Sequence, residues 1–291
     1  MQVPKPIRTM ARRLLGPRVI EGLRRPFRKI HPEANSYCVY LAGKRGLEIG
    51  GPSGILGEEG PLPLYRALGS LDNCLYSSRT IWTGSVQEGG TFVFHPRKPS
   101  GKQIICEASD LKPIPDASYE CVLASHCLEH VANPLRALGE WRRVLKANGL
   151  LLLILPHKDG TFDWRRPTTS IAHMVSDYEN DVGEDDLTHL PEILELHDLD
   201  RDKAAGSKEQ FHLRCLDNVS SRAIHHHVFV TQTAVALVDR ASFQILRVDP
   251  YRPYHIIILA RRCEGVPENS TSLSRRAEFH RRSPFSSDRL R

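Results

Sequence analysis

The 291-residue sequence has no long apolar run, no closely spaced cysteine pair and neither common glycine-rich nucleotide loop, and each absence closes a class of function. Its densest apolar stretch, residues 150–155, is far shorter than the roughly 20 residues a helix needs to cross a bilayer. Seven cysteines are scattered along the chain without a CxxC pair, which argues against a zinc ribbon or a disulfide framework and leaves them as small buried hydrophobes. No HExxH or other recognisable ligand spacing occurs, so no metal is expected. A GxGxxG fingerprint is missing too, because Pro52 and Ser53 interrupt the glycines after the first strand; a nicotinamide cofactor is therefore disfavoured. GxxxxGK[ST] is absent, which excludes a phosphate-binding P-loop. The N-terminus is basic but lacks the apolar core of a secretory signal, and a cytoplasmic location is expected.

What is present is an ordinary globular composition, 40% hydrophobic and 25% charged, with an uneven distribution of charge. The net charge is +6, yet residues 1–32 carry nine basic side chains against Glu21 alone, and residues 33–262 are net acidic. The basicity belongs to the ends, so specific nucleic-acid binding is not expected of the folded body. In the arm, residues 1–40, Ile7, Met10, Leu14 and Leu15 recur at helical spacing among arginines, which suits a weak contact with an anionic membrane surface or, alternatively, a solvated arm. Residues 263–291, rich in Ser and Arg with little apolar content, read as a disordered tail.

Between the ends, short apolar runs alternate with helical patterns, as expected of an α/β domain with a parallel sheet over residues 41–262. The first run, Gly46-Leu47-Glu48-Ile49-Gly50, passes straight into Gly51. A strand ending in glycines lets a ligand approach the backbone at the carboxyl edge of a sheet. Further runs fall at 103–107, 120–124, 149–155, 243–248 and 255–260, with helical patterns near 134–146 and 231–240. The pattern breaks over about 157–224, an acidic, histidine-bearing stretch that reads as an insertion over one end of the sheet.

The succession Leu47 to Gly54, Asp110-Leu111, Ser125-His126-Cys127-Leu128-Glu129-His130, Asn133-Pro134 and Arg143-Val144-Leu145-Lys146 before Asn148-Gly149 resembles the class I S-adenosylmethionine-dependent methyltransferases, in particular the type 11-like domain. The resemblance implies a Rossmann-like seven-stranded sheet with helices on both faces, its last strand pair antiparallel, and the insertion placed after the fifth strand. It implies S-adenosylmethionine as cofactor. Carried over residue by residue, Glu48, Gly50 and Gly51 would meet the amino-acid portion of the cofactor, Asp72 the ribose, Asp110 and Leu111 the adenine, and Ser125 and His126 the region beside the sulfonium. Glu129 and His130 would anchor their loop. The implied activity is methylation, read here as O-methylation, of a small-molecule or glycan-like acceptor, the glycan following from the association of similar chains with polysaccharide pathways. A nicotinamide-dependent oxidoreductase and a non-catalytic interaction module are the alternatives.

A hydroxyl acceptor needs a base, and histidine titrates near working pH. His225, His226 and His227 are the leading candidates, then His157, with Asp163 as a carboxylate alternative. On an extended segment His225 and His227 would share one face and His226 the other. The run Phe162-Asp163-Trp164-Arg165-Arg166 offers an aromatic and two arginines to frame the acceptor.

Overall fold

The computed structural model describes residues 30–289. Its centre is a mixed, mostly parallel sheet of eight strands. In chain order these are β1 (Arg45–Ile49), β2 (Ser70–Leu75), β5 (Gly89–Phe92), β6 (Gly101–Ile105), β7 (Tyr119–Ser125), β8 (Leu145–Pro156), β9 (Phe243–Tyr251) and β10 (His255–Arg262). A separate two-stranded hairpin supplies β3 (Arg79–Thr80) and β4 (Gly84–Ser85). The spatial order is β5-β6-β2-β1-β7-β8-β10-β9. Strands β6, β2, β1, β7 and β8 run parallel, and β10 enters antiparallel beside both β8 and β9. The expected seven strands and antiparallel closing pair are therefore present, and β5 adds an eighth, antiparallel to β6 at the edge.

Alternation along the central strands sorts the core into two layers. Leu47, Ile49, Val122, Ala124, Leu151 and Leu153 point to one face, and Cys121, Leu123, Leu150, Leu152 and Ile154 to the other. The first face is covered by helices α2 (Pro134–Val144) and α7 (Thr231–Arg240). Helix α2 starts where Asn133 caps it by accepting from the Arg136 amide, with Pro134 in the first turn where its missing donor costs nothing. It buries Ala137, Leu138, Trp141 and Val144 at helical spacing. Trp141 is fully enclosed, and its truncation to alanine carries the usual cost of about 3–5 kcal/mol for a large aromatic.

The second face departs from the expectation of helices on both sides. Among the described residues only the short helix α1 (Ala34–Leu41) lies there, beside a loop that packs Leu56, Leu62, Leu64, Tyr65 and Leu68 onto the strands. Gly54, Gly57, Gly60, Pro61 and Pro63 make a helix unfavourable in this crossover, so the chain buries its leucines from turns. Of the basic arm expected over residues 1–40, residues 1–29 lie outside the described residues, and the remainder runs into α1, which packs on the sheet.

The insertion forms α3 (Ile171–Glu179), α4 (Leu190–Leu196), α5 (Lys208–Leu216) and the one-turn α6 (Asn218–Ser221), with a small core of Ile193, Ala205, Phe211, Cys215 and Ile224. The disordered tail is corrected. Residues 263–289 carry α8 (Ser270–Leu273) and α9 (Glu278–Arg282), and Ala277, Phe279 and Phe285 are buried. Asp288 fastens the end: it accepts from the backbone and hydroxyl of Thr231 at the start of α7 and lies 3.1 Å from His157 Nε2. Few apolar residues suffice there because one buried carboxylate meets several donors. Among the described residues no helix is long and apolar enough to cross a membrane.

Candidate active site

The carboxyl ends of β1, β2, β6 and β7 meet along one rim, the usual place for a ligand in an open α/β sheet. A cavity of about 460 Å³ opens there. Gly50, Tyr76, Glu107, Ala108 and His126 line its sheet side, and Phe162, Glu184, Arg222 and His225 from the insertion region face them. A wider groove of about 900 Å³ follows the outer surface of α2, and its lining includes Asp110.

The glycine turn does two separate things. Gly50 adopts φ +81°, and a β-carbon there would press on Cys127 Sγ at 3.2 Å, so the residue keeps the cavity floor open. Gly51 lies below the rim, where a β-carbon would fall 2.3 Å from a Glu48 carboxylate oxygen. Glu48 is accordingly corrected from ligand contact to anchor. It is completely buried beneath the turn, accepting from Tyr65 Oη at 2.7 Å and the Ser53 amide at 3.2 Å. Burial pushes its carboxyl up to about 7, against the opposing hydrogen bonds from Ser53 and Tyr65.

Other positions inferred from the resemblance also move. Asp72 pairs in register with Leu47, three residues before the end of β2, and is held by Arg45, Tyr119 and the Lys102 amide. Tyr76 occupies the strand end instead. Asp110 is on the outer groove, paired with Lys112 at 2.6 Å, and Leu111 is buried in the core. Glu107 and Ala108, immediately after β6, face the cavity. The apolar run ending in Glu107 held this signal: the acid at the strand end, rather than the one three residues later, reaches the rim. Ser125 is buried in β7 with an unpartnered hydroxyl and does not line the cavity, whereas His126 does, its Nε2 2.9 Å from His255 Nδ1.

The histidine triplet separates into three environments rather than two faces. His225 alone reaches the cavity; its Nδ1 lies 2.5 Å from Asp163 Oδ2. Asp163 is fixed from behind by Arg166 Nη1 at 3.0 Å, and the same buried guanidinium donates to the His225 carbonyl and to Glu192. Burial lowers the His225 pKa, but the Asp163 carboxylate outweighs it and leaves the imidazole above its ordinary value. Asp163 itself is held well below the carboxylate range, as His225 and Arg166 overcome its burial. Its position behind the ring makes it a partner to His225 and not a base in its own right. His226 turns to Asn218, and His227 to the Ala132 carbonyl; burial lowers both to about 3. His157 is enclosed between Asp288 and the Phe285 ring. None of these three lines the cavity. Of the aromatic and arginine run, only Phe162 faces it, while Trp164 is exposed beneath Arg165 and Arg201.

The walls hold charges of both signs. Glu107 meets Arg222 at 2.5 Å, and Arg222 lies 3.1 Å from Glu184. Burial raises the pKa of Glu107 and of Glu184. Glu129 Oε2 and Arg222 Nε are buried without hydrogen-bond partners, while Glu184 Oε2 has its ion pair with Arg222. Unsatisfied groups of this kind await a ligand carrying its own charges. S-adenosylmethionine, with a sulfonium, an ammonium and a carboxylate, fits such a lining, and the apolar Leu75, Ala108 and Val131 suit its adenine.

Residues 92–153 match the family model of a methyltransferase domain. No curated relative matches the sequence. Similar solved structures include an S-adenosylmethionine-dependent methyltransferase of Methanosarcina mazei, 18% identical, covering 81% of this chain and 100% of that one with a TM-score of 0.43. Another, from Mesorhizobium loti, is 14% identical over 79% of this chain and 96% of its own, with a TM-score of 0.45. A third is the 1,6-didemethyltoxoflavin N1-methyltransferase of Burkholderia thailandensis with S-adenosylhomocysteine bound, 11% identical over 91% and 92% with a TM-score of 0.44. The family match covers about a fifth of the chain, from β5 into β8, within the mixed sheet described above.

Proposed function

We propose that this chain is a class I S-adenosylmethionine-dependent methyltransferase that methylates a hydroxyl of a small or glycan-like acceptor, with S-adenosylmethionine as cofactor and His225 as general base. The observation that carries the reading is the His225–Asp163 pair at the cavity wall. Asp163 takes the Nδ1 side of the ring, which turns Nε2 toward the acceptor and stabilises the imidazolium formed when the hydroxyl proton arrives. Proton removal of this kind contributes about 10²- to 10⁴-fold.

The cofactor supplies an electrophilic methyl carbon on its sulfonium. Gly50 leaves space for the aminocarboxypropyl group, Tyr76 takes the ribose side, and Glu107 with Ala108 takes the adenine. Phe162, Tyr254 and Arg201 stand on the insertion side of the cavity, an aromatic and polar mixture suited to a polyhydroxylated acceptor. The chain's own work is to hold oxygen and methyl carbon close and in line and to remove one proton.

The test is transfer of isotope-labelled methyl to a panel of sugars, glycosides and phenols, followed by assignment of the labelled atom. Label on oxygen, lost in His225→Gln while S-adenosylmethionine still binds, is the expected result. Label confined to nitrogen or carbon acceptors overturns the O-methylation, and turnover within a few-fold in His225→Gln overturns the base.

A further inference from the structure

Away from the cavity, side chains from three separate parts of the chain converge. His173 and Asp177, four residues apart, share one face of α3. His189 stands at the start of α4, and His227 lies on the extended segment that returns from the insertion to the sheet. One ring nitrogen from each of the three histidines lies within 4.8 Å of the others. His173 Nε2 and His189 Nε2 are 3.0 Å apart, and Asp177 Oδ2 is 3.5 Å from His173 Nε2 and 3.8 Å from His227 Nε2.

We infer that His173, His189, His227 and Asp177 form a structural zinc site that ties the insertion to the segment presenting His225. Zinc–nitrogen bonds of about 2.0–2.1 Å at tetrahedral angles put two ligand atoms roughly 3.3 Å apart, which the 3.0, 3.5 and 3.8 Å separations bracket; Asp177 stands just outside the mutual cluster of the three histidines and would close on the ion. Three imidazoles and one carboxylate are a donor set that zinc accepts, and four protein ligands close the shell, as in sites that stabilise rather than catalyse.

A second observation points to the same ion. Asp177 Oδ2 and His227 Nδ1 are both buried with no hydrogen-bond partner. An unsatisfied buried carboxylate oxygen is costly, and a cation beside it removes that cost. His227 Nε2 meets the Ala132 carbonyl at 3.1 Å, so its unpartnered Nδ1 is the nitrogen left for an ion, whereas the other convergent group, Glu129, His130 and His225, includes His225, whose Nδ1 is already held by Asp163 at 2.5 Å. Spacings of sixteen and thirty-eight residues between the three histidines match no local ligand motif, which is why the sequence led to no metal being expected. His227 is two residues from His225, so the ion would fix the segment on which His225 is mounted without touching the cavity.

The test uses the untagged full chain purified without chelator. Elemental analysis is expected to find one zinc per chain, and replacement by cobalt(II) to produce the visible absorption of a tetrahedral site. Chelation should lower the melting temperature by several degrees and added zinc restore it. The double variant His173→Gln/His189→Gln should lose the metal while retaining its circular dichroism, and His130→Gln should keep it. Should the double variant fail to fold, His173→Gln, whose side chain is partly exposed, should weaken zinc at least about tenfold in competition with a chromophoric chelator. Zinc below about one-tenth per chain after equilibration with micromolar zinc overturns the proposal, as does unchanged zinc affinity in His173→Gln. Zinc retained in the double variant but lost in His130→Gln also overturns it and moves the ion to the cavity.

Discussion

The two sides of the cavity are built by different means. On the sheet side, Gly50, Tyr76 and Glu107 each stand just beyond a strand, and the backbone alone sets them on the rim. On the insertion side, His225 is placed by Asp163, 62 residues earlier in the chain, and by Arg166, 59 residues earlier. The first side depends on local geometry that tolerates change in most neighbours. The second depends on a buried chain of charges, His225–Asp163–Arg166, that reaches the half-buried Glu192 and in which the enclosed members satisfy one another.

The largest expected effect breaks that chain. Arg166→Met leaves Asp163 buried beside His225 without its guanidinium and should cost about 3–5 kcal/mol in urea denaturation, while a loss under about 1 kcal/mol would mean the network is not coupled. His225→Gln should lower turnover by about 100-fold or more and leave S-adenosylmethionine affinity within about twofold by calorimetry, which separates base from binding residue.

On the sheet side Glu48 gives a pH signature. Its carboxyl keeps a proton up to about 7 in the folded protein and ionises from about 4.5 when unfolded, so between those values the native state binds more protons. Stability contributed by this group therefore falls as pH rises from about 4.5 through 7, by up to about 3 kcal/mol, and is level above that. Glu48→Gln should flatten this part of the profile; identical slopes for the two proteins between pH 5 and 7 would remove Glu48 from it. The smallest effect sharpens the adenine assignment. Glu107→Gln should weaken S-adenosylmethionine by about 1 kcal/mol, and Asp110→Ala by no more than a few tenths, measured by calorimetry at one salt concentration. Equal losses in the two variants would return the site to the Asp110 loop.

Much of the sheet side was legible because strand ends and glycines are written in short windows. The run from Gly46 to Gly51 located the turn, although the role of Glu48 was misread: in a strand with both faces covered, an acid one residue before the rim points under the loop, here to Tyr65. Tyr76 and Glu107, rather than Asp72 and Asp110, reach the cavity, four residues later and three residues earlier respectively. A strand's carboxyl end must be located to the residue before its rim can be named, and sequence patterns leave that boundary loose. The tail was misread because composition registers few apolar residues and cannot register that Phe285, Ser283 and Asp288 are spent on His157 and Thr231.

By itself the sequence determined the mostly parallel sheet and the glycine turn at the carboxyl end of its first strand, since each follows from periodicity or from residues adjacent in the chain. Only the tertiary structure decided which of three consecutive histidines faces the ligand. His225, His226 and His227 have the same side chain, and they differ in what remote segments bring to them: Asp163 to the first, Asn218 to the second, and the Ala132 carbonyl with Asp177 to the third. Burial and partner charge set the chemistry of an imidazole, and both are properties of the packed chain rather than of any window within it.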